Sequence, residues 1–409
     1  MGNRIRWTVF IFLVCLPLTN ISAQFKNVLD SLLLSDTSAI VRKVLANPGR
    51  YRLQIIYSQT DYSKKNPVLQ EFSYRFRPEE YFYPASLVKL PASALALEKL
   101  RALKLDWLDR DLPLYTNPKY SGLNLDSIRY PSLADDIKQM MVVSDNYAYN
   151  RVYDFLGQEY AHLRLFQKGY TNTRLIQRMS PASEEENRHT GPFAFLDTCK
   201  NVLYSEEELI TQKIFSNPAE KLMVGKAYYV GRKKIREPKD FSSNNFLPLH
   251  DAHQMLVSII YPGFLQKTSQ FELTEEDYVF LRKIMSMYPR ESGVKLWQND
   301  TTYYDCFRKM LYYGDYHGRA DSTIRIFNKI GMAYGFMSDV AYFVDYKNKV
   351  EFFLSAVLYV NEDEVLNDGR YDYNSIGYPF MERLGKLVYQ YELTRKEASR
   401  NKKLVPMVY

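Results

Sequence analysis

Short runs rich in apolar, β-branched and aromatic residues predict β-strands near both ends of the chain. "YRLQIIY" (51–57) and "LQEFSYRF" (69–76) come early, and three further strands are predicted at 322–330, 339–346 and 350–360. The last two are joined through "KNK", which is typical of a tight hairpin. Both ends of the chain therefore contribute strands to one antiparallel sheet.

Apolar residues at helical spacing fill most of the remaining chain. The pattern predicts helices over 26–46, over 86–103, through most of 130–315 and, as an amphipathic closing helix, over 378–393. We therefore expect an α+β fold, an α/β sandwich. An antiparallel sheet built from both chain ends is flanked by the terminal helices, and an all-helical subdomain is inserted between the early and late strands.

The chain divides into a leader, one domain and a tail. We predict a signal peptide at 1–23, a single domain at 24–396 and a charged tail at 397–409. Within the domain, 24–85 and 320–396 form the α/β part, and 86–319 forms a mainly helical part with an excursion at about 205–245.

The first residues have the layout of a cleavable secretory signal. Arg4 and Arg6 precede the apolar run Trp7–Leu18, and Ala23 offers a small residue for a cut before Gln24. The run is too short to span a bilayer comfortably. We therefore expect a secreted or periplasmic protein with no stable membrane span after cleavage.

Composition and charge narrow the class of partner. Apolar residues make up 46% and charged residues 25% of the chain, which predicts a packed globular protein. Without the leader, 52 Lys and Arg face 47 Asp and Glu; a net charge of +5 suits an anionic cell wall and does not indicate nucleic acid. We expect a monomer.

Cysteine and histidine positions give no clear metal or cofactor signal. Cys199 and Cys306 remain after cleavage and could pair or stay free. His250 and His253 have a spacing that can hold a metal on a helix, but no acidic or cysteine ligand follows nearby, so no metal and no cofactor are predicted.

Three polar residues interrupt an otherwise apolar helix in "YFYPASLVKLPAS" (81–93). Ser86, Lys89 and Ser93 are spaced i, i+3, i+7 and therefore share one face. Burying an unpaired lysine is costly unless its pKa shifts or it lines a polar cleft, and either condition suits a general base. A serine one turn from such a lysine can be activated for acyl transfer. Pro91 predicts a local break in the helix just beyond this pair.

Two further motifs follow in the chain. "MVVSDNYAYN" contains Ser144 and Asn146, and "FNKIGMAYGF" contains Lys329 and Gly331 at the end of a predicted strand. The order S-x-x-K, S-D-N, K-x-G resembles the motif set of penicillin-binding proteins and class A β-lactamases, and the chain is most similar to β-lactamase-like serine hydrolases.

The resemblance implies a catalytic role for three of these residues. Ser86 would be the nucleophile that forms an acyl-enzyme, and Lys89 would accept its proton directly or through water. Ser144 would pass a proton toward the leaving nitrogen.

The resemblance also implies a substrate-binding set. Asn146 would hydrogen-bond the substrate amide, and Lys329 with Gly331 would form the opposite wall, where Lys329 attracts a substrate carboxylate. The backbone N–H groups of Met332 and Ser86 would form the oxyanion hole.

Two positions depart from the family pattern. Ile330 replaces the usual Thr or Ser, whose hydroxyl would help to bind the substrate carboxylate. In the region 173–195, Ser180 falls where a class A enzyme carries the deacylating Glu of its E-x-x-L-N loop. The acidic run 184–186 lies outside that pattern and is interpreted as a solvated loop.

The expected activity is hydrolysis through acyl-Ser86, most specifically class A-like cleavage of a β-lactam amide. The expected substrate is a small-molecule β-lactam or a cell-wall peptide. A penicillin-binding D,D-peptidase, an esterase, or a module that binds a cell-wall peptide without turnover remain alternatives, since acyl-enzyme hydrolysis would be slow without the Glu.

Overall fold

The strands lie early and late in the chain, with short strands between them. In chain order they are β1 (Gln54–Asp61), β2 (Val68–Tyr74), β3 (Leu114–Thr116), β4 (His189–Thr190), β5 (Phe193–Leu196), β6 (Val202–Glu206), β7 (Leu209–Ile210), β8 (Met223–Val224), β9 (Ala227–Val230), β10 (Lys233–Ile235), β11 (Lys239–Asp240), β12 (Ile324–Ala333), β13 (Phe336–Asp345), β14 (Val350–Tyr359) and β15 (Val365–Leu366). The computed structural model describes residues 27–63, 67–123, 130–299, 301–395 and 404, so the predicted signal peptide and nearly all of the predicted tail lie outside it.

The central sheet is antiparallel and contains strands from both chain ends, which confirms the predicted α+β class. Its five strands lie in the order β12-β13-β14-β1-β2, so β12 and β2 form the edges. The pairing of β1 with β14 joins the early and late strands, with Ile56 opposite Ser355. The late strands β12, β13 and β14 have ten residues each, and nearly all of these residues are buried, so both faces of the sheet are covered.

The helices surround this sheet. They are α1 (Val28–Ser35), α2 (Ala39–Ala46), α3 (Lys89–Ala102), α4 (Pro118–Ser121), α5 (Leu133–Val142), α6 (Asn146–Leu156), α7 (Gln158–Gln167), α8 (Glu184–Arg188), α9 (Leu249–Ile260), α10 (Glu275–Ser286), α11 (Lys295–Asn299), α12 (Met310–Tyr313) and α13 (Tyr378–Thr394). Among the described residues, no helix is both long and apolar enough to cross a membrane.

Each face of the sheet has its own hydrophobic core. On one face, Phe327 and Tyr342 pack in a cluster with the leucines of α3 and α9. On the other face, Ile326 and Phe343 pack with Leu384 of α13 and with residues of α1 and α2. Because strand side chains alternate, neighbouring residues of β12 enter different cores.

Two details differ from the sequence prediction. The single helix expected over 26–46 is two helices, because Asp36 ends the first and accepts a hydrogen bond from Arg383 of α13 at 2.6 Å, while Ser38 caps the second. The inserted region is not purely helical: it also carries β3 to β11. Most of these strands have two to four residues, which is too short for a recognisable alternation.

The remaining cysteine and histidine positions are structural or on the surface. Cys199 is exposed and Cys306 is buried, and neither forms a disulfide. His253 is buried, and its two ring nitrogens lie 2.8 Å from the hydroxyl oxygens of Ser58 and Ser355. His250 instead faces Glu71 at the surface.

Candidate active site

Ser86 lies in a tight turn that leads directly into a buried helix. The turn is a 3-10 helix over Ala85–Val88, in which the N–H of Leu87 donates to the carbonyl oxygen of Pro84 at 2.9 Å. Ala85 has a φ of 46°, a strained conformation for a residue with a side chain, of the kind that collects at functional sites. Pro91 lies in the first turn of α3, where no N–H is required, so the predicted break does not occur.

Lys89 begins α3 and is fully buried. Its Nζ donates to Ser86 Oγ at 2.9 Å, to the carbonyl oxygen of Ser144 at 2.6 Å and to Asn146 Oδ1 at 2.7 Å. Burial, reinforced by the Arg308 guanidinium, lowers the pKa of Lys89 to about 7. A lysine with that pKa is substantially neutral near pH 7 and can accept the Ser86 proton.

Two residues of the S-D-N motif, Ser144 and Asn146, also contact Lys89. Ser144 has a φ of 63°, which turns the chain so that both its carbonyl oxygen and its hydroxyl face Lys89. Asp145 caps α6 by accepting from the N–H of Ala148 at 2.7 Å. Asn146 is the first residue of α6 and is exposed, so its amide is open to a ligand.

The edge strand β12 contributes a third group of residues to the site. Lys329 is buried, and its Nζ donates to Ser144 Oγ at 2.9 Å. At Gly331, an added Cβ would lie 2.0 Å from the carbonyl oxygen of Pro84, so only glycine lets the strand approach the turn that carries Ser86. Burial, with the positive charges of Lys89 and Arg308, holds the pKa of Lys329 well below its usual range.

The structure thus joins five of the seven predicted site residues through direct hydrogen bonds. The connected residues are Ser86, Lys89, Ser144, Asn146 and Lys329.

The other two lie beside this group. Gly331 touches the backbone of the nucleophile turn, and Met332 follows it on the edge strand. The sulfur of Met332 accepts a hydrogen bond from the hydroxyl of Tyr378 at 3.4 Å.

Ile330 faces away from the site. It is buried in the core beneath α13, on the opposite side of β12 from Lys329. The position therefore contributes no polar group to the cleft.

Arg308 is a charged residue of the site that the sequence motifs did not reveal. Its positive charge lowers the pKa of both Lys89 and Lys329. Its Nε is buried without a hydrogen-bond partner among the described residues, and its guanidinium lies 4.6 Å from the ring centre of Phe307. An unpaired guanidinium in this position is suited to bind an anion.

A buried polar network holds the loop of Arg308 against β12. Asn328 donates to the Arg308 carbonyl oxygen and to Asp339 Oδ1, both at 2.8 Å. Lys309 Nζ donates to Asn328 Oδ1 at 2.7 Å, and the N–H of Leu311 donates to Asp339 Oδ2 at 3.0 Å. Burial lowers the pKa of Lys309 and raises that of Asp339, each to about 7.

The loop that would supply a deacylating carboxylate carries a hydroxyl instead. Ser180 Oγ accepts from Asn150 Nδ2 at 2.6 Å, and the N–H of Met179 donates to Asn150 Oδ1 at 2.8 Å. A buried ion pair between Arg178 and Asp154 anchors the same loop.

The three glutamates downstream are engaged elsewhere. Glu184 accepts from Ser243, Glu185 pairs with Arg188, and Glu186 pairs with Lys119 at 2.6 Å.

The excursion predicted at 205–245 flanks the nucleophile turn. Its hairpin β9–β10 is joined to β15 by parallel pairing. Phe241, at its base, packs on Tyr83 and Tyr334 with ring centres 5.7 and 5.4 Å apart. Tyr83 lies three residues before Ser86, so this aromatic cluster forms a wall beside the turn.

Comparison with known proteins finds a family match over part of the chain. The model of the beta-lactamase enzyme family matches residues 42–225, which include the S-x-x-K and S-D-N motifs. This match confirms the resemblance to the β-lactamase and penicillin-binding protein superfamily. The family match supports a serine hydrolase of the β-lactamase kind.

Among solved structures, the chain is similar to β-lactamases at low sequence identity. A β-lactamase from Sphaerobacter thermophilus is 11% identical, with 89% of this chain and 96% of that chain covered and a TM-score of 0.48. A class A β-lactamase from Clostridium kluyveri is 14% identical, with 86% and 97% covered and a TM-score of 0.48. No curated protein sequence matches the chain.

Proposed function

We propose that the protein is an exported hydrolase that forms an acyl-enzyme at Ser86, with the amide of a β-lactam as its most specific substrate class. The observation that carries the proposal is the 2.9 Å contact between Lys89 Nζ and Ser86 Oγ at a lysine whose pKa is near 7. A nucleophile in contact with a neutral base is the minimum requirement for covalent acyl transfer.

In the proposed reaction, neutral Lys89 takes the Ser86 hydroxyl proton while Oγ bonds to the substrate carbonyl carbon. Lys89 returns this proton through Ser144, whose hydroxyl lies 3.4 Å from Lys89 Nζ and 2.9 Å from Lys329 Nζ. The proton reaches the amide nitrogen as the C–N bond breaks. The backbone N–H groups of Ser86 and Met332 are the proposed donors to the oxyanion.

An anionic substrate fits the charges of the cleft. Arg308 is a half-buried cation, and Lys329 is a buried lysine whose Nζ lies 2.9 Å from Ser144 Oγ; among the described residues neither forms an ion pair with a carboxylate. We propose that Arg308 binds the substrate carboxylate together with Lys329, which makes a hydroxyl at Ile330 unnecessary.

The fate of the acyl group separates the candidate activities. A serine at position 180 cannot take a proton from water at neutral pH as a glutamate can, so a β-lactam adduct is expected to persist. This favours a penicillin-binding D,D-peptidase or esterase as the second candidate. A binding module without turnover is the third, and the assembled Ser86–Lys89 pair argues against it.

Covalent labelling tests the proposal. The mature protein is incubated with a fluorescent penicillin and with a fluorophosphonate, and the adduct is located by mass spectrometry. Label on Ser86 is expected with both, lost in Ser86→Ala and kept in Ser93→Ala, which changes a buried serine of the adjoining helix α3. Absence of adduct with either reagent would rule out the enzyme.

The lifetime of the adduct then distinguishes the activities. Rapid release of the opened lactam would indicate a β-lactamase. An adduct that persists for hours would indicate a penicillin-binding role.

A further inference from the structure

A cavity of about 730 Å³ lies apart from Ser86, between the loop that precedes β12 and the helix α13. Its volume is in the range of pockets that hold small ligands. Four tyrosines line it: Tyr312, Tyr313, Tyr316 and Tyr378. None of the predicted active-site residues contributes to its wall.

The aromatic wall is built on a strained backbone. Tyr312 has a φ of 87°, unusual for a bulky residue, and its ring packs at 5.0 Å on that of Tyr313. On α13, an added Cβ at Gly385 would lie 2.3 Å from the backbone nitrogen of Tyr312, so glycine lets the helix approach. Strain that is held in place by close packing often marks a functional position.

Several polar groups of the cavity have no partner within the described part of the protein. The guanidinium of Arg319, the amide of Asn374 and the hydroxyl of Tyr316 form no side-chain hydrogen bond or ion pair there. Arg319, Asn374 and Tyr316 are also exposed to solvent. The cavity therefore offers donors, acceptors and ring faces to a ligand.

The charges of the lining nearly balance. Asp315, Asp321 and Glu382 face Arg319 and Lys386, and Lys386 is already paired with Glu382. Such a lining does not favour a strongly anionic or strongly cationic ligand.

We propose that this cavity binds a neutral oligosaccharide. Sugar rings present apolar C–H faces that pack on tyrosine rings, and their hydroxyls both donate and accept hydrogen bonds. The unpartnered Arg319 and Asn374 supply donors. Asp315 Oδ1 already accepts from the Tyr304 hydroxyl at 3.2 Å, which leaves the second carboxylate oxygen as an acceptor. Tyr378 connects this site to the cleft, since it lines the cavity and donates to Met332.

Saturation-transfer NMR tests the proposal on Ser86→Ala protein, so the result does not depend on catalysis. The probes are triacetylchitotriose and maltotriose, with cadaverine and a triglutamate peptide as charged comparisons. At least one trisaccharide is expected to bind. Tyr316→Ala and Arg319→Ala should each weaken that binding about fivefold or more, as expected for the loss of one good contact.

Trp107→Ala is the matched control, because Trp107 is an exposed aromatic residue outside the cavity. It should leave saccharide binding unchanged. The proposal is overturned if neither trisaccharide binds or if a charged probe binds in place of both. It is also overturned if Tyr316→Ala and Arg319→Ala both leave saccharide binding unchanged.

Discussion

The rate of Ser86 acylation is expected to rise with pH, with an apparent pKa near 7. Burial is the main cause that lowers the pKa of Lys89 from 10.5 to about 7. At pH 7 about half of Lys89 is then neutral, against about one molecule in 3,000 for a lysine of ordinary pKa. Since the neutral amine is the base, the rate falls on the acid side.

The size of the effect follows from a single titration. The rate at pH 6 should be about one tenth of its plateau, and at pH 8 about nine tenths. The assay is the rate of Ser86 labelling by a neutral fluorophosphonate, which avoids any contribution from carboxylate binding. Lys89→Ala should remove the inflection and most of the labelling. A flat profile between pH 5.5 and 8.5, or an inflection near 10, would refute the assignment of Lys89 as the base.

The same assay tests the position of Arg308. Its positive charge contributes to the lowered pKa of Lys89, so Arg308→Met should move the inflection to higher pH and reduce labelling at pH 6. Arg319→Met is the matched control, since Arg319 is an exposed arginine that lines the separate tyrosine cavity. An unchanged inflection in Arg308→Met would show that Arg308 does not act on Lys89.

Three further predictions concern the loop and the strand. Ser180→Glu should shorten the lifetime of a penicillin adduct at least about tenfold by mass spectrometry, because it restores a general base; an unchanged lifetime would contradict the role of this position. Asp154→Ala should lower the free energy of unfolding in urea by about 3–5 kcal/mol, because it leaves Arg178 buried and unpaired, while Glu185→Ala at the surface should change it by no more than about 0.5 kcal/mol. Gly331→Ala should abolish labelling without unfolding the protein, as followed by circular dichroism, since its Cβ would meet the nucleophile turn at 2.0 Å.

The sheet could be predicted because its late strands are long runs rich in β-branched and aromatic residues. The strand predicted over 322–330 is observed as Ile324–Ala333, and that predicted over 350–360 as Val350–Tyr359. The split between α1 and α2 could not be predicted, because it depends on Asp36 contacting Arg383, far away in the chain. Local periodicity carries no information about such a contact.

The site was predictable as far as its residues lie in recognisable motifs. Ser86, Ser144 and Lys329 each belong to one; the fold brings Ser86 and Ser144 to Lys89, and Lys329 to Ser144. Arg308 was missed because it is a single arginine in an irregular loop. Its position depends on a buried network assembled from that loop and two strands, and no spacing in the sequence indicates this network.

Formation and removal of the acyl group depend on separate parts of the molecule. The groups proposed for acylation come from α3, the turn before α6 and β12, whereas position 180 belongs to a loop anchored by the buried pair of Arg178 and Asp154. With a serine at position 180, the loop therefore stays anchored but supplies no general base. Once its proton has reached the leaving nitrogen through Ser144, Lys89 is again neutral near pH 7, and its Nζ lies 2.9 Å from Ser86 Oγ, which carries the acyl group. If the acyl-enzyme turns over, water activation by Lys89 would give deacylation the same inflection in pH as acylation.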